Sequence, residues 1–247
     1  MALSPLETFR KTTNALYILV DGGKKYVVKH YRGPGNLARR RQEELSLTHW
    51  KKAGFNAPEI HDLRVPGVPE PYLVTSFIEG LSLREYLCAG THAVDERFST
   101  LEMLFRELAG RHEFAVNAND CNLIHHDPSS GNIICSEDGF YFVDFEAPLR
   151  KRRSALESAS IEVATTCRWI VRDLGIESIE QVLKLLVVAY ASQEPLLKLI
   201  VDRTTARPFQ FFHRWKNRKR KLLRPDEVTK YDIADELAKL KIHCACY

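Results

Sequence analysis

The 247-residue sequence is short of the features that mark several protein classes. It has no Cys-x-x-Cys pair, and its six cysteines (Cys88, Cys121, Cys135, Cys167, Cys244 and Cys246) show no zinc-like spacing with the nine histidines. They read as reduced thiols, not as a metal cage or a disulfide framework. Its longest apolar run, Leu185 to Ala191, is far below the roughly 20 residues a membrane-spanning helix needs. Residues Met1 to Arg10 lack the basic start and apolar stretch of a signal peptide. The 12 glycines and 11 prolines follow no period, which argues against a solenoid or a collagen-like chain. A formal charge of +4 is too mild by itself to define a nucleic-acid or membrane binder. What the chain does have is 45% hydrophobic residues, ample for a core. The expectation is a soluble, cytoplasmic protein without a transmembrane segment.

The first 80 residues read as strands with one helix between them. Ala15 to Val20 and Tyr26 to Tyr31 are β-branched and apolar runs separated by Asp21-Gly22-Gly23-Lys24, a hairpin pattern. Leu37 to Ala53 carries Leu37, Leu45, Leu47 and Trp50 among charges and stops at Gly54, as an amphipathic helix does. Tyr72 to Ile78 is a further strand, closed by Glu79-Gly80. Beyond Leu81 the pattern turns helical: Ser82 caps a short helix to Leu87, Phe98 to Phe114 is a long one, and Ile161 to Leu174 and Ile179 to Ala191 follow. Between them, Ile133 to Cys135 and Phe140 to Val143 are joined by a turn ending in Asp138-Gly139, a second hairpin. The organisation expected is α+β, with a small strand-rich lobe over residues 1–80 and a mostly helical lobe over residues 81–247.

The stretch that carries chemistry is Leu123-Ile-His-His-Asp-Pro-Ser-Ser-Gly-Asn132, followed by Tyr141-Phe-Val-Asp-Phe-Glu146. Asp127 falls in a tight loop, Asn132 begins one strand of the hairpin and Asp144 ends the other, so the turn folds Asn132 and Asp144 beside each other. Two oxygen ligands at one strand end suit a hard, Mg²⁺-like cation. A carboxylate five residues earlier is placed to accept a proton from an incoming hydroxyl, the task a phosphotransferase requires. His125 is expected to pack under this loop and hold its backbone, with His126 partly exposed. In the first lobe Lys29 lies within an apolar strand, where an unpaired ammonium is costly and an anion is needed. Glu43 on the following helix is the preferred partner, with Glu44 as its rival.

His125-x-Asp127 followed by Asn132, the strand-borne Lys29, the helix-borne Glu43 and Asp144-Phe145-Glu146 together resemble the protein-kinase-like superfamily over roughly residues 10 to 190. Within it, the small size and the Asp127-Pro-Ser-Ser-Gly-Asn132 loop resemble the RIO and KEOPS-type protein kinases and the lipopolysaccharide-core Kdo/heptose kinases. Lys29-His-Tyr-Arg32 is similar to the latter. The resemblance implies a two-lobed kinase-like fold and transfer of the γ-phosphoryl group of ATP, with Mg²⁺, to a hydroxyl. Asp127 would be the catalytic base, Asn132 and Asp144 the Mg²⁺ ligands, Lys29 the phosphate-contacting lysine and Glu43 its ion-pair partner. Ser76 to Ile78 would contact adenine through the backbone. The acceptor implied is a sugar of a lipopolysaccharide core, which suits a cytoplasmic protein peripheral to the inner membrane. The alternatives are a Ser/Thr protein acceptor, or a nucleotide-binding pseudokinase that regulates a partner complex.

The sequence also departs from the superfamily pattern. No Gly-x-Gly-x-x-Gly precedes the first strand, and Lys11-Thr-Thr-Asn14 stands in the place of the phosphate-covering loop. Glu146 replaces the usual glycine, which either restricts a backbone flip or adds a carboxylate near the metal. Ser129 stands where conventional Ser/Thr kinases carry Lys, and no Ala-Pro-Glu follows Asp144; Arg150-Lys-Arg-Arg153 leads into helix instead. A conventional peptide groove is therefore not expected. Finally, Arg214 to Arg224 holds seven cations and no acid beside Phe209, Phe211, Phe212 and Trp215. The readings are a solvated helix face, a contact with an anionic membrane surface, or one with an RNA backbone.

Overall fold

The computed structural model describes residues 2–6, 14–148, 153–205, 210–223 and 227–244. It divides into two compact units, the first comprising Met1–Leu81, His125–Asp127 and Ile134–Arg150 and the second Ser82–Ile124, Pro128–Ile133 and Lys151–Tyr247.

Unit 1 is built on a five-stranded antiparallel sheet. Its strands are β1 (Ala2–Pro5), β2 (Ala15–Asp21), β3 (Lys24–His30), β4 (Ile60–His61) and β5 (Tyr72–Ser76), in the order β1-β2-β3-β5-β4. Asp21 pairs with Lys24, so the β2–β3 turn is Gly22-Gly23 alone, with φ of +56° and +78°. Two consecutive left-handed residues match the twist of the flanking strands, and glycine takes that conformation without strain. One face of the sheet buries Leu19, Val28 and Val74 with Val65 and Val68. β1 was not apparent in the sequence, whereas the fifth strand ends at Ser76, short of the expected Ile78.

The helix α1 (Asn36–Lys52) follows β3, and its buried stripe is Glu43, Ser46, Leu47 and Trp50, the i, i+3, i+4, i+7 spacing of one helix face. Leu37 and Leu45, expected among its apolar positions, are exposed instead. Trp50 is fully buried, and the rings of Phe145, Phe142, Phe55 and His125 lie 4.7, 5.4, 6.3 and 6.2 Å from its own. This aromatic cluster explains why unit 1 reaches past residue 80. It binds the loop at His125 and the hairpin of β7 (Ile133–Ser136) and β8 (Gly139–Phe142) to the helix. These two strands, with the two-residue β6 (Leu81–Ser82), form a second sheet. Gly80 is required beside it: at φ +147°, a Cβ there would stand 2.2 Å from the Cys135 carbonyl oxygen.

Unit 2 is helical: α2 (Leu83–Cys88), α3 (Val94–Asn117), α4 (Ala155–Leu174), α5 (Ile179–Ala189), α6 (Glu194–Thr205), α7 (Gln210–Leu223) and α8 (Lys230–Cys244). Ser82 caps α2 as its sequence implies, in a reciprocal capping box with Glu85; Ser154 and Glu157 do the same for α4. Each such cap is worth about 1 kcal/mol. The core holds a buried polar network. Arg111 of α3 donates to the Glu162 carboxylate of α4 through both terminal nitrogens and to the Leu123 carbonyl at 2.8 Å. His112 Nε2 donates to Glu162 at 3.0 Å, and the Tyr190 hydroxyl donates to His112 Nδ1 at 2.6 Å. Burial pulls the His112 imidazolium below its ordinary pKa despite Glu162, so the ring is neutral. For Glu162, burial is outweighed by Arg111 and the His112 hydrogen bond, and its pKa lies well below the usual range. Among the described residues no helix is long and apolar enough to cross a membrane, and Cys88, Cys121, Cys135 and Cys167 are free thiols.

Candidate functional site

Lys29 is the next-to-last residue of β3, and its side chain is only 12% exposed. An ammonium so placed needs anions, and three carboxylates supply them. Glu43 on the buried face of α1 accepts from Nζ at 2.7 Å, Asp144 accepts a second, shorter hydrogen bond, and Glu146 lies at 3.7 Å. Between the two candidates of the helix, geometry selects Glu43; Glu44 ion-pairs with Arg40 of its own helix. Glu43 is held from the other side by the Tyr31 hydroxyl, which donates to it at 2.6 Å. Burial alone would lower the Lys29 pKa, but Glu43, Asp144 and Glu146 outweigh it and keep the group charged well beyond neutrality. Glu43 moves the other way: burial, reinforced by Asp144, lifts it above the ordinary carboxylate range against the pull of Lys29.

Asp144 sits two residues past β8 at φ +68°, a left-handed conformation that Asp tolerates better than most non-glycine residues. Its side chain is 36% exposed, against 7% for Glu43. Phe145 next to it is locked against Trp50, so the backbone turn and the aromatic anchor together aim the carboxylate at Lys29. His125, 1% exposed, donates from Nε2 to the Val143 carbonyl at 3.0 Å. That bond ties the loop bearing Asp127 to the segment bearing Asp144, and Asp127 itself is exposed.

Glu146 resolves the choice its position posed, because its carboxylate points into the cluster. It accepts from Asn14 Nδ2 at 2.7 Å and from Arg39 Nη1 at 3.3 Å, while Arg39 also donates to Asn14 Oδ1 at 3.1 Å. Arg39 has no sequence signal pointing to it, and nothing in the sequence joins Asn14 to Glu146, 132 positions away. Of the segment expected to cover phosphate, Asn14 is buried in this network and residues 11–13 lie outside the described residues. So do Arg150 to Arg152 of the basic tetrad, Phe209 and Arg224 of the basic aromatic stretch, and Cys246.

The remaining expected site residues are placed as follows. Ser76 closes β5; its N–H is donated to the Glu59 carbonyl at 2.8 Å and its hydroxyl meets His61 Nε2 at 2.8 Å. Ile78 lies two residues past the strand, half-buried. Asn132 belongs to unit 2, in a single 3₁₀ turn, Ser130–Asn132, anchored where the Ser130 hydroxyl donates to Asp173 of α4. Thus Lys29, Glu43 and Asp144 come together, joined by Glu146.

Glu43, Asp144 and Glu146 each offer a carboxylate oxygen within 4.8 Å of one another. Hard oxygen donors, one of them reaching solvent, fit a cation that keeps part of its hydration shell, as Mg²⁺ does. Among the described residues these three carboxylates face two cations, Lys29 and Arg39, so the cluster carries surplus negative charge.

Residues 6–122 match the model of the Phosphotransferase enzyme family. The match takes in Lys29, Glu43, Ser76 and Ile78 and stops short of Asp127, Asn132 and Asp144. No curated protein matches the chain. The strand-rich antiparallel sheet, the helical remainder and this family match together support a protein-kinase-like superfamily.

Proposed function

We propose that the protein is an ATP-dependent phosphotransferase that moves the γ-phosphoryl group to a hydroxyl, and that the acceptor is a sugar of a lipopolysaccharide core. The observation that carries the phosphotransferase reading is the cluster on Lys29: a strand-borne ammonium fixed by Glu43, beside a solvent-reaching Asp144 on a left-handed turn. The family match over residues 6–122 supports the same class of reaction.

In this reading residues 1–80 cover the nucleotide and residues 81–247 supply the rest of the machinery. Lys29, held charged by its carboxylates, meets phosphate oxygens and neutralises charge that builds up in transfer. The backbone at Ser76 to Ile78 meets the adenine, with Ile78 the donor because the Ser76 N–H is committed to Glu59. Asn132 and Asp144 would hold Mg²⁺, which when bound neutralises phosphate charge. Asp127 accepts the proton of the acceptor hydroxyl and orients its oxygen for in-line attack. The sugar acceptor is supported by the likeness of Lys29-His-Tyr-Arg32 to the core kinases and by Ser129 in place of a substrate-guiding Lys. The same reading places the protein in the cytoplasm.

The test is transfer of labelled γ-phosphate from Mg·ATP to purified lipopolysaccharide core, a protein mixture and the protein itself, with Asp127→Ala as control. Label on the glycolipid that vanishes in the variant supports the full reading. Label on protein alone replaces the acceptor with a Ser/Thr side chain. No label on any acceptor, with ATP still bound, makes the chain a nucleotide-binding pseudokinase. Asp144→Ala is expected to remove metal-dependent nucleotide binding that Asp127→Ala keeps; equal loss in both would overturn the division of roles.

A further inference from the structure

Helix α7 is amphipathic with its faces reversed. A surface helix of a globular protein ordinarily turns its apolar stripe inward and its charges outward. On α7 the side against α8 is the polar one. Arg214 makes two hydrogen bonds to Asp235 at 2.8 and 2.7 Å, Lys221 reaches Asp232 at 2.5 Å, and Asn217 donates to Thr229 at 3.3 Å. The apolar side faces out. Phe211, Leu222 and Leu223 are 83%, 85% and 85% exposed, with Phe212 and Trp215 also exposed. At 3.6 residues per turn these five side chains fall within an arc of about 120°.

Exposed cations border and interrupt that arc. Lys216 and Arg218 flank it, and Lys219 lies within it with its ammonium 4.1 Å from the Trp215 ring centre. The helix sequence contains no acid, and the two acids against it belong to α8, on the opposite side. Contiguous apolar surface rimmed by one sign of charge marks a site of interaction, and here its charge is complementary to an anionic partner.

We propose that α7 is an in-plane anchor for an anionic lipid surface. Phe211, Trp215, Leu222 and Leu223 would enter the boundary between headgroups and acyl chains, and Lys216, Arg218 and Lys219 would meet the anionic headgroups. An indole with a neighbouring cation suits that boundary, where one side of the ring is apolar and the other wet. An RNA backbone would use the cations and stack on the aromatics, but it gives Leu222 and Leu223, the two most exposed of the five, no apolar partner. The ion pairs to α8 fix the helix on the protein, so the apolar face is presented without any rearrangement.

The inference does not depend on the acceptor, because its test reads vesicle binding and not phosphotransfer. The full chain is floated with vesicles of phosphatidylcholine alone and of phosphatidylcholine mixed with phosphatidylglycerol, and Trp215 emission is followed with Trp215→Phe as blank. The expected result is binding to the anionic vesicles with a blue shift absent from the blank. Lys216→Glu/Arg218→Glu/Lys219→Glu should weaken partition by at least about a hundredfold, taking about fivefold per cation lost. Phe211→Ser/Leu222→Ser/Leu223→Ser should abolish the shift. All six positions are exposed, and unchanged circular dichroism would show that the variants fold. Equal binding to both vesicle types, full binding by the serine variant, or binding to a single-stranded RNA homopolymer with none to vesicles would each overturn the proposal.

Discussion

The two units each bury an ion cluster, and the clusters are built to opposite plans. In unit 2 Arg111, Glu162, His112 and Tyr190 are all within 2% of fully buried, and they hydrogen-bond to one another and to the Leu123 carbonyl. One guanidinium balances one carboxylate, and the neutral imidazole joins them without adding charge. In unit 1 three carboxylates crowd Lys29 and Arg39, with Asp144 partly in solvent and its backbone at positive φ. A balanced cluster wholly out of water stabilises the fold. An unbalanced one open to solvent costs stability and is poised to take up a further cation together with its phosphate. The difference teaches that burial of charge does not identify a site; surplus charge that reaches water does.

The comparison is broken or sharpened most strongly at Asp144. Asp144→Asn keeps the shape and tolerates the same backbone, so phosphoryl transfer is expected to fall about 10²–10³-fold, the loss typical when one preorganised charge is removed. Thermal unfolding should be unchanged or later, since a surplus carboxylate is gone; a large drop in melting temperature would mean that the cluster is structural like its counterpart. Glu162→Gln should do the reverse. Leaving Arg111 buried without its anion is expected to cost about 3–5 kcal/mol in urea unfolding, while the folded fraction retains its transfer rate.

Acidification gives the next effect. His112 is neutral in the fold because its pKa is lowered from 6.5, whereas the unfolded chain protonates it at that value. As pH falls through 6.5 the unfolded state therefore binds the extra proton, and stability falls by at most about 1.4 kcal/mol per pH unit from this group. Glu162, also lowered, adds a loss of the same sign only further down, below the ordinary carboxylate range. His112→Gln should flatten the slope between pH 6.5 and about 5.5 in denaturant titrations; an unaltered slope would place its origin elsewhere. The smallest change is expected from Glu146→Gln, which relieves crowding around Lys29 while keeping a partner for Asn14. A melting temperature raised by about 2–4 °C, corresponding to roughly 1 kcal/mol, would fit, and a lowered one would make Glu146 a structural latch.

How much of this was legible in the sequence follows from chain distance. Lys29 and Glu43 lie 14 positions apart on adjoining elements, and a lysine in an apolar strand already calls for an acid. The hairpin and the Ser82 cap are written in local turn and cap chemistry, and they formed as read. The inner face of α1 was legible only in part: Leu47 and Trp50 of the apolar pattern are buried with Glu43, but Leu37 and Leu45 are exposed and Ser46 takes a buried place that its residue type did not signal. The network on Glu162 was equally hidden, with 50 residues to His112 and a further 78 between His112 and Tyr190. The sequence of α7 showed a basic, aromatic helix but not its orientation, since periodicity defines two faces without saying which one meets the protein. The ion pairs to Asp232 and Asp235 decide that.

The left-handed backbone at Asp144 also bears on how this protein can evolve. In the proposed function a residue there must accept positive φ and carry a carboxylate, and aspartate meets both demands with little strain. Asparagine meets the first alone, and the two are neighbours in the genetic code. On that reading a lineage can lose metal-dependent nucleotide binding in one step while keeping the fold, and a natural variant with the Asp144→Asn change would mark a descendant that had kept the architecture and given up the metal.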